Sequence, residues 1–213
     1  MIAVTGIEEL LFELANVLRI PVFAAAIGAL AFVLYDLGAF FVELSRRRRQ
    51  GRREQVQEAT TSARQSLAVN NTAAAEQALM PLASSAQMAD TLSTFVHQHD
   101  QPGIQDRRAK ALADFDLTSL RKLERSRLLV RFGPALGLMG TLIPLSPALE
   151  GLAEGDVAQL SENLRAAFSV TVIGLLIGAI AFSISLVRDR LYAQDLSDLE
   201  FVVTALDPPD QDR

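Results

Sequence analysis

Two threonines, Thr141 and Thr171, lie inside long apolar stretches of the sequence. A hydroxyl in such a setting can hydrate an ion path or hold the carboxylate of another chain. It can equally donate a hydrogen bond to the backbone of its own helix, which uses up its only proton. The residue type alone therefore leaves two interpretations, and the elements around each threonine must decide between them.

Small residues recur at helical spacing around both threonines. They are Gly133, Gly137 and Gly140 before Thr141, and Gly174 and Gly178 after Thr171. Small side chains let two helices approach closely, and in lipid this packing, rather than the hydrophobic effect, brings helices together. The pattern predicts close helix contacts, and by itself it does not indicate a pore.

The other residues that could bind a metal or take part in catalysis give weaker signals. His97 and His99, beside Asp100, are the only histidines of the chain. Two such ligands with no third at suitable spacing are more typical of a polar loop than of a metal site. The sequence also lacks a phosphate-binding glycine motif and a nucleophile paired with a base. We therefore expect no metal, no cofactor and no enzymatic activity.

The elements that hold the two threonines are apolar enough to cross a membrane. The chain has 213 residues, and it is nearly free of charge over 20–44, 128–149 and 166–187. A transmembrane helix needs about 20 apolar residues to cross about 30 Å of hydrocarbon. The alternative, three core helices of a soluble protein, fails because the remaining chain is too short to cover them. The sequence predicts an all-α integral membrane protein with three transmembrane helices.

The basic residues indicate the direction of these spans. They flank the same side of each span: six arginines within 46–53, then Arg121, Lys122, Arg125 and Arg127, then Arg188 and Arg190. Basic residues collect on the cytoplasmic side of membrane proteins, whereas the loop 150–165 is acidic. The pattern predicts an inner or plasma membrane protein with 1–19 outside, 45–127 inside, the loop outside and 188–213 inside. The net charge of −5 argues against nucleic acid as a partner.

The segments outside the spans are expected to be helical as well. Residues 5–18 have an apolar stripe beside acidic residues, which predicts an external amphipathic helix in the membrane interface. The cytoplasmic part, 45–127, is rich in Ala, Gln and Leu, which favour helix, and it has breaks at 70–72, 81–85 and 97–103. The breaks predict a small helical hairpin between two long helices, one extending the first span inward and one running into the second.

Three charged residues lie within the first two spans. Asp36 and Glu43 belong to the first span, and Arg131 belongs to the start of the second. An ionisable side chain in the membrane is costly unless it is paired or neutral. We expect Arg131 to pair with Glu43 or Asp36 and so to clamp the first span to the second. The rival interpretation is that Asp36 itself carries protons.

The residues of the second and third spans resemble the MotA/TolQ/ExbB proton channel family. The resemblance rests on Gly133-Pro-Ala-Leu-Gly-Leu-Met-Gly-Thr141, a short acidic loop, and Ala166-Ala-Phe-Ser-Val-Thr-Val-Ile-Gly-Leu175. Three spans, an external N-terminus and a large cytoplasmic insert after the first span are similar to the TolQ/ExbB branch. The four-span MotA branch is arranged differently.

This resemblance implies a function and a set of site residues. In that family several copies, typically five, form a ring around the membrane helices of single-span partners such as ExbD, TolR or MotB. Those partners carry the proton-binding Asp. The pore-lining positions of the family correspond here to Gly137, Gly140, Thr141, Thr171 and Gly174. The first helix of the family stands at the periphery of the ring, which favours a structural pair for Asp36 over a proton carrier.

The chain departs from the TolQ/ExbB branch at one position. Members tend to have a Glu about five residues before the third-span threonine, whereas this chain has Ala166 beside Arg165. The second and third spans contain no carboxylate, so a partner has to supply the acid. The leading hypothesis is the pore wall of a channel that converts proton or sodium flow into motion or force. A non-conducting scaffold is the alternative, and a small-molecule transporter is less favoured because no inverted repeat is visible.

Overall fold

The computed structural model describes residues 13–14, 17–47, 52–99 and 101–206 as an all-helical chain. No strand occurs within these ranges, which confirms the all-α prediction. The helices are α1 (Arg19–Arg47), α2 (Arg52–Ala68), α3 (Thr72–Leu79), α4 (Ala86–His97), α5 (Ile104–Ala153) and α6 (Val157–Leu206), with a 3-10 turn at Met80–Leu82 between α3 and α4. The predicted interfacial helix over 5–18 lies mostly outside the described residues.

The short helices begin and end where the sequence predicts breaks. The Asn71 side chain accepts a hydrogen bond from the Ala74 N–H at 3.0 Å and caps α3. Ser85 caps α4 in the same way, because its hydroxyl oxygen accepts from the Met88 N–H at 3.2 Å. Past the end of α4, Gly103 has a φ of +72°, a left-handed conformation that glycine adopts without strain. The three predicted breaks of the 45–127 segment are confirmed.

The two long helices each have 50 residues. Helix α5 continues from the polar segment into the second apolar stretch without interruption, as the sequence predicts, and α6 continues well past the third. The extension of the first span is helical up to Arg47 and again from Arg52, and 48–51 lie outside the described residues. Within the described part of the chain, three helices, α1, α5 and α6, are long and apolar enough to cross a membrane. The three-span prediction is confirmed in length and composition.

One compact unit, here the span unit, consists of the described parts of 1–40 and 124–185. Its buried apolar cluster is small and consists of Val33, Ile177 and Ala181. Large apolar side chains are exposed instead, among them Leu142 at 58% and Phe168 at 65%. Such a surface is unsuited to water, and it fits lipid or other membrane helices.

The second compact unit, here the core unit, consists of the described parts of 41–123 and 186–213. Its core resembles that of a soluble helical domain, because large apolar side chains of the short helices are fully buried against those of α6. The short helices contribute Leu79, Met88, Leu92 and Phe95, and α6 contributes Leu199 and Val202. The core unit therefore folds around its own hydrophobic cluster.

Candidate functional site

Within the span unit, α5 and α6 pack with their backbones in contact. A Cβ atom added to Gly174 would lie 2.5 Å from the backbone oxygen of Gly133, and one added to Gly133 would lie 2.7 Å from the backbone oxygen of Gly174. Neither position has space for any side chain. The spacing of small residues thus serves a close contact between two helices of the same chain, as the sequence pattern predicts.

The remaining predicted glycines extend this contact in both directions. A Cβ on Gly137 would lie 3.3 Å from Thr171, and one on Gly178 would lie 3.0 Å from the Pro134 ring. A Cβ on Gly140 would overlap the Val170 side chain. The structure therefore brings all five predicted glycines to the α5–α6 contact.

Thr171 lies in this contact and is half-buried. Its hydroxyl donates to the backbone oxygen of Ala167 at 3.1 Å, with a longer approach of 3.4 Å to the backbone oxygen of Gly137 on α5. Thr141 is more open, and its hydroxyl donates to the backbone oxygen of Leu138 at 2.7 Å. Both hydroxyl protons are used within the chain, so what each oxygen still offers is its capacity to accept a hydrogen bond.

The structure places Asp36 against α5, but not against Arg131. Its carboxylate accepts a hydrogen bond from the Ser126 hydroxyl at 3.3 Å, and Ser126 is buried. Arg131 is exposed and lies five residues further along α5, a rotation of about 140° around the helix axis. The predicted Asp36–Arg131 pair is therefore not formed, because Arg131 points away from the face of α5 on which Ser126 meets Asp36.

Glu43 also has other partners than the predicted Arg131. Its carboxylate is bound by Arg47 at 3.1 Å and by Arg188 of α6 at 3.4 Å. Arg47 lies one turn after Glu43 on the same helix, so the pair forms at i, i+4 spacing. The predicted pair of Glu43 with Arg131 is therefore wrong, because Arg47 and Arg188 of the core unit bind this carboxylate instead.

A buried ion pair that the sequence did not predict lies in the core unit. Arg47 donates two hydrogen bonds to Asp195, at 2.9 and 2.8 Å, and the side chains are only 4% and 1% exposed. The Ser84 hydroxyl donates to the same carboxylate at 2.8 Å. The sequence contains one sign of a buried charge here: Arg188 and Asp195 recur with Leu199 at the helical spacing that places all three on the buried face of α6.

The charges of this network shift the pKa values of two of its members. Burial would lower the pKa of Arg47, but the hydrogen bonds to Asp195 and the charges of Asp195 and Glu43 outweigh it and raise the pKa above its usual value. Burial and the Glu43 charge raise the pKa of the Tyr192 phenol, against the opposing charges of Arg188 and Arg47. Arg47 is thus permanently charged, and Tyr192 is neutral at physiological pH.

The two histidines contact different partners. His97 Nε2 lies 3.4 Å from a carboxylate oxygen of Glu76, and His99 Nδ1 lies 3.3 Å from the guanidinium of Arg108. Across the ranges that the structure describes, no group of three or more potential ligands could hold a metal ion. These contacts fit the interpretation of a polar segment between two helices.

The comparison with known families decides what kind of chain this is. The model of the MotA/TolQ/ExbB proton channel family matches residues 75–200, more than half of the chain. The chain belongs to this family. No curated protein sequence matches it. Since MotA/TolQ/ExbB proteins are membrane channel subunits that work with partner proteins, the family gives the α5–α6 contact a functional context.

The match to the MotA/TolQ/ExbB family covers the main features of the candidate site. It includes Thr141, Thr171 and all five glycines of the α5–α6 contact, and it also includes Ser84 and Asp195 of the buried network. It excludes α1, so the family says least about Asp36 and Glu43. The resemblance seen in the sequence is confirmed for the part of the chain that carried it.

Proposed function

We propose that this chain is the pore-wall subunit of a channel driven by the proton motive force. The observation that carries the proposal is the family match over two long apolar helices that pack glycine against glycine and contain two threonines. Neither apolar stretch contains a carboxylate. A chain of this composition can form the wall of a path, while the titrating group belongs to another chain.

In this proposal the wall and the carboxylate have separate tasks. The oxygens of Thr141 and Thr171 keep lone pairs free and accept hydrogen bonds from water or from a protonated partner carboxylate. The glycine contact holds α5 and α6 close together, so the wall keeps its shape while a partner helix moves against it. The Asp of a single-span partner, similar to ExbD, TolR or MotB, would then bind and release the proton.

The proposed assembly is a ring of identical subunits, with five as the expected number, in the inner or plasma membrane. Its support is the large exposed apolar surface of the span unit, which one chain cannot cover by itself. We place residues 1–19 and the loop 150–165 outside, and 45–127 and 188–213 inside, because basic residues flank the inner ends. The core unit would then lie in the cytoplasm.

The structural role for Asp36 is preferred to a role as proton carrier. The support is its hydrogen bond with the buried Ser126, which joins α1 to α5. We therefore expect Asp36→Ala, which removes the hydrogen-bond acceptor, to lower assembly, thermal stability and ion flux together, and Asp36→Asn, which keeps an acceptor, to retain stability and flux. If Asp36→Asn left assembly and thermal stability intact and yet abolished proton-driven activity, the structural assignment would be wrong.

The experiment that tests the proposed pore wall is proton flux in vesicles that contain the chain and its co-purified partner. Thr141→Val and Thr171→Val remove the hydroxyl at nearly constant shape, and each should slow the flux about five-fold, the effect of one hydrogen bond of about 1 kcal/mol. Thr118→Val is the matched control, because its hydroxyl also donates to the α5 backbone but lies outside the spans. Unchanged flux in both span variants would contradict the assignment of the pore wall.

A second candidate, a non-conducting scaffold of the same architecture, is favoured by one observation. Both threonine hydroxyls donate to backbone oxygens of the chain, which is also what purely structural threonines do in membrane helices. The scaffold predicts a stable ring with its partner and no flux above that of empty vesicles. The channel predicts flux from the same preparation.

A further inference from the structure

A groove runs along the exposed face of α6 where the third span begins. It has a volume of about 740 Å³, and its lining includes Ser161, Leu164, Arg165, Phe168 and Val172. These residues define the Arg165 groove. They recur every three or four residues, so they share one face of the helix, and this face points away from the glycine contact with α5. The groove is therefore open to whatever surrounds the span unit.

The end of the groove nearest the turn at 154–156 is polar and positively charged. Ser161 and Arg165 are one turn apart, and neither side chain has a hydrogen-bond partner among the residues that the structure describes. Arg19 adds a second guanidinium at this level, since it donates to Asn163 at 3.4 Å. Among the residues that line the groove, Arg165 is the only charged one, and the acidic side chains of this end, Glu154, Asp156 and Glu162, are not part of the lining.

The rest of the groove is apolar. Phe168 and Val172 are each 65% exposed, and both lie within the apolar stretch that begins at 166. Arg165 stands just before this stretch, at the level where lipid phosphates are found. Seven residues of helix separate Arg165 from Val172, about 10 Å, which is most of the depth of one leaflet. The polarity of the groove thus changes along the membrane normal as that of a phospholipid does.

We propose that the Arg165 groove binds an anionic phospholipid. The guanidinium of Arg165 and the Ser161 hydroxyl donate to the phosphate oxygens, because the planar donor fork of arginine matches a phosphate. One acyl chain lies along Phe168 and Val172. The single charge of the groove lining is positive, and it selects an anionic headgroup over a zwitterionic one. The site requires only that α6 spans a membrane, and it does not depend on the channel proposal.

The chain contains no tryptophan, which permits a direct test. In the full-length variant Phe168→Trp, the only tryptophan lies in the groove, and brominated lipids quench its fluorescence on contact. We expect brominated phosphatidylglycerol to bind at this position about five-fold more strongly than brominated phosphatidylcholine, the effect of about one basic residue at a membrane surface. Adding Arg165→Gln should bring the ratio close to one.

Phe182→Trp is the matched control, because Phe182 is 55% exposed on the same helix but lies outside the groove. Its lipid preference should not respond to Arg165→Gln. Equal quenching by both lipids at position 168, or a preference that survives Arg165→Gln, would overturn the proposal. So would the absence of lipid quenching at 168 when 182 is quenched, since another protein helix would then occupy the groove.

Discussion

Arg47 and Asp195 form a two-point ion pair in the interior of the core unit, with hydrogen bonds of 2.9 and 2.8 Å. The pair joins the end of α1 to α6, and the Ser84 hydroxyl joins the segment before α4 to the same carboxylate. Glu43 balances the second arginine of the cluster, Arg188, so positive and negative charges alternate through the network. Three separate parts of the chain are therefore fixed by one carboxylate.

Removing this carboxylate should destabilise the protein strongly. In Asp195→Ala the guanidinium of Arg47 stays buried without its main partner, which typically lowers the free energy of unfolding by about 3–5 kcal/mol. Denaturant titration in detergent, followed by circular dichroism, measures the change. The matched control is Asp114→Ala, which breaks the exposed pair with Lys110 and should have little effect. Equal losses in both variants would contradict the role of the buried pair.

A methyl group in the α5–α6 contact should separate the two helices. Gly174→Ala places a Cβ 2.5 Å from the backbone oxygen of Gly133, and a backbone cannot turn aside as a side chain can. We expect a loss of about 1–3 kcal/mol and a clearly lower melting temperature in detergent. Gly28→Ala is the control, because a Cβ there meets nothing within 4 Å in the chain. If both variants melted like the parent, the close contact would not exist.

Tyr192 should titrate above the ordinary tyrosine value of 10.0, because burial and the Glu43 charge raise its pKa. A raised pKa means that its contribution to stability is complete below about pH 10 and is lost as the pH rises through the folded value. In the variant Tyr35→Phe it is the only tyrosine, so the absorbance of tyrosinate reports on it alone. Titration at or below pH 10 in the folded protein would contradict the buried environment.

The loss of stability at high pH gives an independent check on the same side chain. In the parent protein the melting temperature should fall above pH 10, because ionisation of the phenol then stabilises the unfolded state relative to the folded state. Tyr192→Phe removes this ionisation, so its melting temperature should fall less over the same interval. A decline equal to that of the parent would assign the alkaline loss to other groups.

Local and periodic signals predicted most of the fold. Asn71 and Ser85 cap helices because their side chains bond the nearest free N–H groups, and this depends on a few neighbouring residues only. The unbroken course of α5 into the second span follows from the many Ala, Leu, Lys and Arg residues of 104–130, which favour helix. The glycine spacing predicted a close contact for the same reason, since periodicity places small residues on one face.

Contacts between distant segments were harder to predict. Asp195 lies 148 residues after Arg47, and no local pattern links the two positions. The predicted clamp at Arg131 is wrong because similar depth in the membrane does not make two side chains neighbours. The rotation of α5 directs Ser126, and not Arg131, to Asp36. Helix rotation depends on the packing of all three spans, and a linear sequence does not state it.

Proton uptake into vesicles tests the central claim most directly, namely that this chain walls a proton path whose titrating carboxylate belongs to a partner. Vesicles would contain the chain alone, the chain with its co-purified single-span partner, or the chain with that partner after its membrane Asp is replaced by Asn. With an imposed pH gradient and the membrane potential clamped, the account predicts uptake in the second preparation only. Uptake by the chain alone, uptake that survives the Asn replacement, or no uptake in any preparation would contradict it.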